Sequence, residues 1–522
     1  MESAVQRPKI CLCLTGKTLD EDLAILDKYR SWIDIAELRV DYLASDERLS
    51  IRRFPELAGV PCILTIRRRI DGGQYYEGEA SRTTLFARAL AFADQDSRKN
   101  FAYIDLENDY YVPSLQDAAL AFGTRVIRSY HNMNAPVRNL ADMIASMRTT
   151  GYEIPKVACM AHTLSDVTQI FAQTKDMDDS ERIITVMGPY GLPSRILSAK
   201  LGSCVTYTTA PEQLDNMKAI GHIDPVTLQE TYNFHAIDAN TELYGITGYP
   251  LEVTDSPAIH NKGYRDHGMN AVYIPIRAQR VEEAIDFCNV TGVRGLSVTI
   301  PFKEKILPDM NQLSAEVGEI GSCNTAIKRF DEWIGYNTDA IGLKRALCAF
   351  LLSDTLARRK VAIIGAGGAA RAAAYVVKQL RGKACIFNRS LPKAKKLAEH
   401  YGFKYAELSP ENADLLETYS DLIIQTTPVG MGAVKKEKAS ETAVFNTMFD
   451  VASTPVADAE RDPLYFYTFR GHECVYDIIY SPERTPMLER AEEAGCHVEN
   501  GYSMLKNQAY RQFSLFTGVE YE

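Results

Sequence analysis

At 522 residues the chain exceeds what one hydrophobic core organises, and its length predicts about three domains. With 46% hydrophobic and 24% charged residues, it reads as globular and holds no run of ~18 apolar residues that could cross a bilayer as a helix. A net charge of -10, with no basic block beyond Lys393 to Lys396, excludes a nucleic-acid binder and a membrane role while leaving small anionic substrates open.

The N-terminus MESAVQRPKI carries Glu2 and lacks an apolar core of signal-peptide type, which predicts a cytoplasmic protein. The chain is expected to be a monomer. Eleven cysteines are scattered, and the close pair Cys11 and Cys13 lies in an apolar strand-like run with no second Cys/His pair nearby. That pattern predicts buried reduced thiols and no metal site.

The first half alternates short β-like runs with amphipathic helical stretches. Eight strands are predicted, over residues 10–15, 35–41, 62–67, 102–107, 126–131, 154–160, 183–188 and 204–209. Eight βα units in this length predict a (β/α)8 barrel, whose chemistry sits at the C-terminal strand ends. A polar connector ends near Gly245, and a second α/β region opens at LYGITGYP. Within it, VAIIGAGGAARAAA reads as strand, glycine turn and Ala-rich helix, followed by a strand ACIF, which is a dinucleotide-type βαβ unit. The segment from Ser503 to Gly518 is predicted to be a closing helix that packs back on the lobe preceding that unit. The predicted domains are 1–235, 241–345 completed by 488–522, and 346–487.

At the barrel's strand ends stand Glu37, Arg39, Arg67, His131, Lys156, Arg195 and Gln213. Lys156 lies in the otherwise apolar strand IPKVACM, where an unpaired ammonium is costly. Two readings stand: a buried salt bridge, or a Schiff-base lysine made nucleophilic by desolvation and nearby cations. His131 ends the preceding strand and is suited to move a proton next to an iminium carbon. Arginines beside an amine and an imidazole fit a keto acid, since Arg binds a carboxylate through two parallel hydrogen bonds.

The motifs ELRVD, TIRRRIDGG, SYHN, IPKVA, MGPYGLPSRI and TAPEQ occur in order on these strands, and residues 8 to 215 thereby resemble type I 3-dehydroquinate dehydratases. The resemblance implies that Lys156 forms an imine with the substrate ketone, that His131 is the general acid/base, and that Glu37, Arg39, Arg67, Arg195, Thr209 and Gln213 hold the substrate. Asp71 stands where the family usually has a Glu that orients the histidine. Thr209 replaces a common Ser and keeps the hydroxyl.

From Leu243 onward the chain resembles shikimate dehydrogenases. GYPLEVTDSPAIHN supplies Thr254 and Ser256, SVTIPFKE supplies Thr299 and Lys303, GSCNT supplies Asn324, GYNTDA supplies Asp339, and YDIIYSP and NGYSMLKNQ supply Tyr480 and Gln508. Reducing a ketone needs a hydride from a cofactor and a proton for the alkoxide, which an ammonium held by a carboxylate provides. Lys303 with Asp339 fits that role, although each alone could be a surface salt bridge. Gly365, Ala366, Gly367, Gly368 and Ala369 form the phosphate turn. The next strand ends in Asn388 and Arg389 with Lys393 a turn on, cations without a carboxylate, which favours a 2′-phosphate and hence NADP. QTTPVGM resembles the family's loop near the nicotinamide and places Thr427 and Met431, with Gln425 replacing an Asn.

Together the resemblances imply one chain that dehydrates 3-dehydroquinate to 3-dehydroshikimate and reduces that with NADPH to shikimate. The alternatives are an NAD-dependent quinate/shikimate dehydrogenase, to which Thr254 points, and a non-catalytic sensor, against which the retained reactive amines argue.

Overall fold

In a computed structural model, the described residues are 7–91, 94–178, 180–251, 254–431 and 461–522. They form two compact units: residues up to Gly245 with Tyr264–Val293, and Ile246–Gly263 with Arg294–Glu522.

The first unit contains eight strands, β1 (Lys9–Leu14), β2 (Ile35–Arg39), β3 (Cys62–Thr65), β4 (Tyr103–Glu107), β5 (Arg125–Asn132), β6 (Ile154–Met160), β7 (Ile183–Met187) and β8 (Val205–Thr209). All neighbours pair in parallel from β7 through β1 to β8, and the isolated bridge between Arg182 and Ser203 joins the β7–β8 seam. The eight expected strands are all present, each within two residues of its predicted ends.

Side chains alternate across a strand, so parity sorts the barrel into layers. Ile35, Ile63, Tyr103, Ile127, Ile154, Ile183 and Val205 fill the N-terminal end as an apolar cluster. Two residues further along, the same parity carries Glu37, Thr65, Asp105, Ser129, Lys156, Thr185 and Tyr207, every one of them buried. The opposite parity, with Leu38, Leu64, Ile104 and Leu106, packs outward under the helices. Polar groups are thus confined to one end of an otherwise hydrophobic core.

Beside that end, Asp22 sits in the first turn of the helix Leu19–Tyr29. Its Oδ1 accepts from the Gly16 amide at 2.7 Å and the Gln213 side-chain amide at 3.4 Å, while Oδ2 has no partner. Burial pushes its carboxyl up to about 7. The native state therefore holds a proton that the unfolded chain releases near pH 4, and stability falls as pH rises from about 4 to 7. Asp22→Asn keeps the Oδ1 acceptor and removes the titration. Its stability relative to the parent should rise by roughly 1 kcal/mol per pH unit across that window. Denaturant midpoints at pH 5 and pH 8 measure this, and an unchanged difference refutes it.

Downstream strands are β9 (Glu242–Gly248), β10 (Ala271–Arg277), β11 (Val293–Val298), β12 (Gln312–Leu313), β13 (Thr325–Arg329) and β14 (Glu332–Tyr336), in a mixed sheet ordered β10-β9-β11-β13-β14-β12. A last sheet comprises β15 (Lys360–Ile364), β16 (Lys383–Asn388), β17 (Lys404–Glu407), β18 (Leu422–Gln425), β19 (Cys474–Asp477) and β20 (His497–Glu499). Its order is β17-β16-β15-β18-β19-β20, all parallel, the doubly wound arrangement whose switch point lies between β15 and β18.

The closing helix Tyr502–Thr517 packs along the helix Thr338–Phe350. A Cβ on Gly342 would stand 3.0 Å from the Met504 carbonyl, so the glycine permits this close approach. No helix among the described residues is long and apolar enough to cross a membrane.

Candidate active sites

The polar end of the barrel opens into a cavity lined by Glu37, Arg39, Arg67, Asp71, His131 and Lys156, all expected from the sequence. Lys156 is 5% exposed, and its ammonium donates to Asp105 Oδ2 at 2.9 Å. Glu37 Oε1 lies 3.8 Å away, and the Tyr207 ring centroid 4.1 Å. The lysine is therefore both paired and part of the cavity lining, a placement that leaves both readings of its sequence open.

Asp105 is the hub. It also receives Arg67 at 2.8 Å and the Ser129 hydroxyl at 2.5 Å. Burial works to raise its carboxyl, but Arg67 and Lys156 outweigh it and hold the group well below the usual carboxylate range. Arg67 reaches on to Glu107 at 2.7 Å, Glu107 takes Arg82 at 2.6 Å, and Arg39 makes a two-pronged pair with Asp41 at 3.0 and 2.8 Å. Lys156, Arg39, Arg67 and Arg82 each meet a carboxylate, which limits the desolvation penalty of stacking these charges inside a barrel.

His131 has no hydrogen-bond partner at Nδ1. Burial first, then Arg67 and Lys156, hold its pKa well below the ordinary histidine value, so the ring is neutral and can accept a proton. Asp71 lines the same cavity, but its carboxylate accepts from Arg68 Nε at 2.7 Å, and Arg68 also holds Asp109. The shorter side chain is thus engaged on its own loop.

Three expected residues stand behind the cavity wall. Arg195 is 1% exposed and donates to the carbonyls of Gly221, Ile220 and Tyr207. The Thr209 hydroxyl is 2.6 Å from His222 Nδ1, and Gln213 accepts from the Thr15 amide at 3.2 Å. Sequence reasoning missed Asp105 and Glu107, which carry the same signal as Lys156: charge at alternate positions of the buried strand YIDLE. It also missed His222, which lines the cavity but lies in a loop that offers no periodicity.

In the second unit, Lys303 donates to Asp339 Oδ2 at 2.5 Å. Asn324 donates to the other carboxylate oxygen at 2.8 Å and to Gln508 Oε1 at 3.3 Å. Asp339 lies in the first turn of the helix capped by Asn337, where backbone N–H groups favour a carboxylate. A second group joins Thr254, whose hydroxyl donates to Ser256 Oγ at 3.0 Å, with the half-buried Tyr480 near Thr254. Thr299 follows β11, its amide bonded to the Thr247 carbonyl at 2.9 Å.

The glycine turn after β15 fits a dinucleotide. Gly365 has φ +116, and a Cβ there would meet Thr426 Oγ1 at 2.5 Å. Gly367, which precedes the helix Gly368–Gln379, faces open space, whereas a Cβ on Gly368 would crowd Ser322 and Lys303 at 3.0 and 3.2 Å. Bare backbone thus meets Lys303 at a helix N-terminus, the surroundings an anion needs. Arg389 and Lys393 are exposed beyond β16, and Asn388 donates to the Ser390 carbonyl at 3.0 Å. Gln425, buried at the end of β18, binds the Thr427 amide and carbonyl and the Val429 carbonyl, which shapes the loop that carries Met431.

A barrel with an amine and an imidazole in its mouth, joined to a dinucleotide fold with a lysine–aspartate pair, defines a lyase-type site and an oxidoreductase site in one chain. Type I 3-dehydroquinase matches residues 10–239, the shikimate dehydrogenase substrate binding domain 246–326, and shikimate / quinate 5-dehydrogenase 348–459. The bifunctional 3-dehydroquinate dehydratase/shikimate dehydrogenase, chloroplastic, of Arabidopsis thaliana is 30% identical over 98% of this chain and 82% of its own length. The shikimate dehydrogenase (NADP(+)) of Halothermothrix orenii is 35% identical, covering 55% of this chain and 94% of its own, and that of Thermococcus kodakarensis 35%, covering 54% and 93%. The chain belongs to the family of bifunctional 3-dehydroquinate dehydratase/shikimate dehydrogenases.

Proposed function

We propose that residues 1–235 dehydrate 3-dehydroquinate, and that 241–345 with 488–522 bind 3-dehydroshikimate for reduction to shikimate with NADPH held by 346–487. The observation that carries this is Lys156, a buried amine facing a cavity with a neutral imidazole beside it.

Lys156, in its deprotonated amine form, attacks the substrate ketone, and loss of water gives an iminium that acidifies the neighbouring C–H. His131 takes that proton and returns one to the departing hydroxyl; hydrolysis then frees the enone acid and the amine. Glu37, Arg39 and Arg67 hold substrate carboxylate and hydroxyls, and Asp71 orients His131 once released from Arg68. Thr209, Gln213 and Arg195 support this wall.

In the second site Thr254, Ser256 and Tyr480 bind the carboxylate, while Thr299, Asn324 and Gln508 hold ring hydroxyls. NADPH, when bound, supplies the hydride. Lys303, fixed by Asp339, donates a proton to the developing alkoxide. Gly365 to Ala369 would seat the pyrophosphate, Asn388, Arg389 and Lys393 would hold the 2′-phosphate, and Thr427 and Met431 would hold the nicotinamide end.

Supplied with 3-dehydroquinate, the purified chain should form shikimate with one NADPH consumed per turnover. NADPH should exceed NADH in kcat/KM by about 10- to 100-fold, the scale of one or two charge-assisted phosphate contacts, and Arg389→Ser should erase most of that preference. Equal use of NADH by the parent would instead support the quinate/shikimate reading.

A further inference from the structure

The dehydratase cavity holds a second imidazole that the chemistry above does not use. His222 lines the same wall as Lys156 and His131, on the segment after β8. That segment is fixed from several sides. Arg195 donates to the Gly221 and Ile220 carbonyls, both at 2.9 Å, and the Thr209 amide donates to the Ile223 carbonyl at 3.2 Å. Gly221 has φ +70, and a Cβ there would stand 2.7 Å from the Gly188 carbonyl, so a side chain is not accommodated next to the histidine.

The ring itself is also held. Thr209 Oγ1 lies 2.6 Å from Nδ1, and a hydroxyl can serve either tautomer because it both donates and accepts. Burial, then Arg195, Arg39 and Lys156, keep the imidazole neutral, although the Thr208 backbone favours the charged form. A neutral ring does not compete with Arg39 and Arg67 for a carboxylate. It offers one nitrogen to a group that can donate or accept, which describes a hydroxyl.

We propose that His222 binds substrate in the dehydratase: its Nε2 hydrogen-bonds a hydroxyl of the polyhydroxy keto acid at Lys156, and Thr209 and Arg195 act as positioning residues through it. This rests on Lys156 being the imine-forming residue.

Steady-state dehydration by the full-length chain tests it. His222→Ala should raise KM for 3-dehydroquinate about tenfold, the scale of one net hydrogen bond, with kcat within about threefold. His222→Gln, whose amide also donates and accepts, should recover most of the loss. Thr209→Val should raise KM in the same direction and add nothing to His222→Ala in the double variant. Reduction of added 3-dehydroshikimate shows that each variant remains folded in its second unit. A KM unchanged within about twofold in His222→Ala, or full additivity with Thr209→Val, overturns the proposal. Borohydride trapping of the parent separates the two ideas: no adduct on Lys156 overturns the imine reading, whereas an adduct with an unmoved KM overturns His222 alone.

Discussion

Lys156→Ala is expected to lower 3-dehydroquinate dehydration by at least about 10^4-fold, because an imine pathway has no substitute for its nucleophile. Among the described residues lining the cavity, Lys156 is the only amine. The loss should be chemical rather than structural. Asp105 keeps Arg67 at 2.8 Å and Ser129 at 2.5 Å, so the carboxylate is not orphaned. The stability cost should stay below the ~3–5 kcal/mol typical of breaking a buried ion pair outright. Ultraviolet absorbance of the enone acid reads the first site, and NADPH oxidation by added 3-dehydroshikimate should remain within about twofold of the parent. Enone formation above about 1% of the parent rate would mean that another group activates the ketone.

The reciprocal result is expected from Lys303→Ala, which should reduce the NADPH-dependent step by about 10^2- to 10^4-fold, the range of general acid catalysis, and leave dehydration untouched. Lys303 touches Asp339 at 2.5 Å, and Asp339 is 1% exposed and also held by Asn324. Asp339→Asn places an amide N–H2 toward the ammonium and should cost less than removal of the lysine, while still exceeding about tenfold. If either variant impaired enone formation from 3-dehydroquinate equally, the two sites would not be independent as proposed.

Much of this was legible in the residues because its signals are local and periodic. Strand parity along IPKVACM exposes Lys156 as a cation in a hydrophobic line, and the turn GAGGAA is legible because only glycine tolerates φ +116 at Gly365. Asp105 and Glu107 carried the same parity signal in YIDLE and went unread, although Asp105 is what holds Lys156. Arg195, Thr209 and Gln213 show where the local signal ends. In the structure Arg195 and Thr209 bond to the His222 segment and Gln213 to Thr15, partners that residue type alone does not name.

By itself the sequence determined the eight βα units, the glycine turn and the cationic end of β16, since each is written in spacing or in a residue's backbone tolerance, and the ordered motifs singled out Lys156 and Lys303 as the candidate reacting amines. Only the tertiary structure decided which carboxylate neutralises Lys156, that Asp71 is taken by Arg68, and that His222 reaches the cavity. Those outcomes depend on registers between strands far apart in the chain, such as Ser129 opposite Lys156, and on loop geometry at the barrel rim. Neither leaves a periodic trace in the residues.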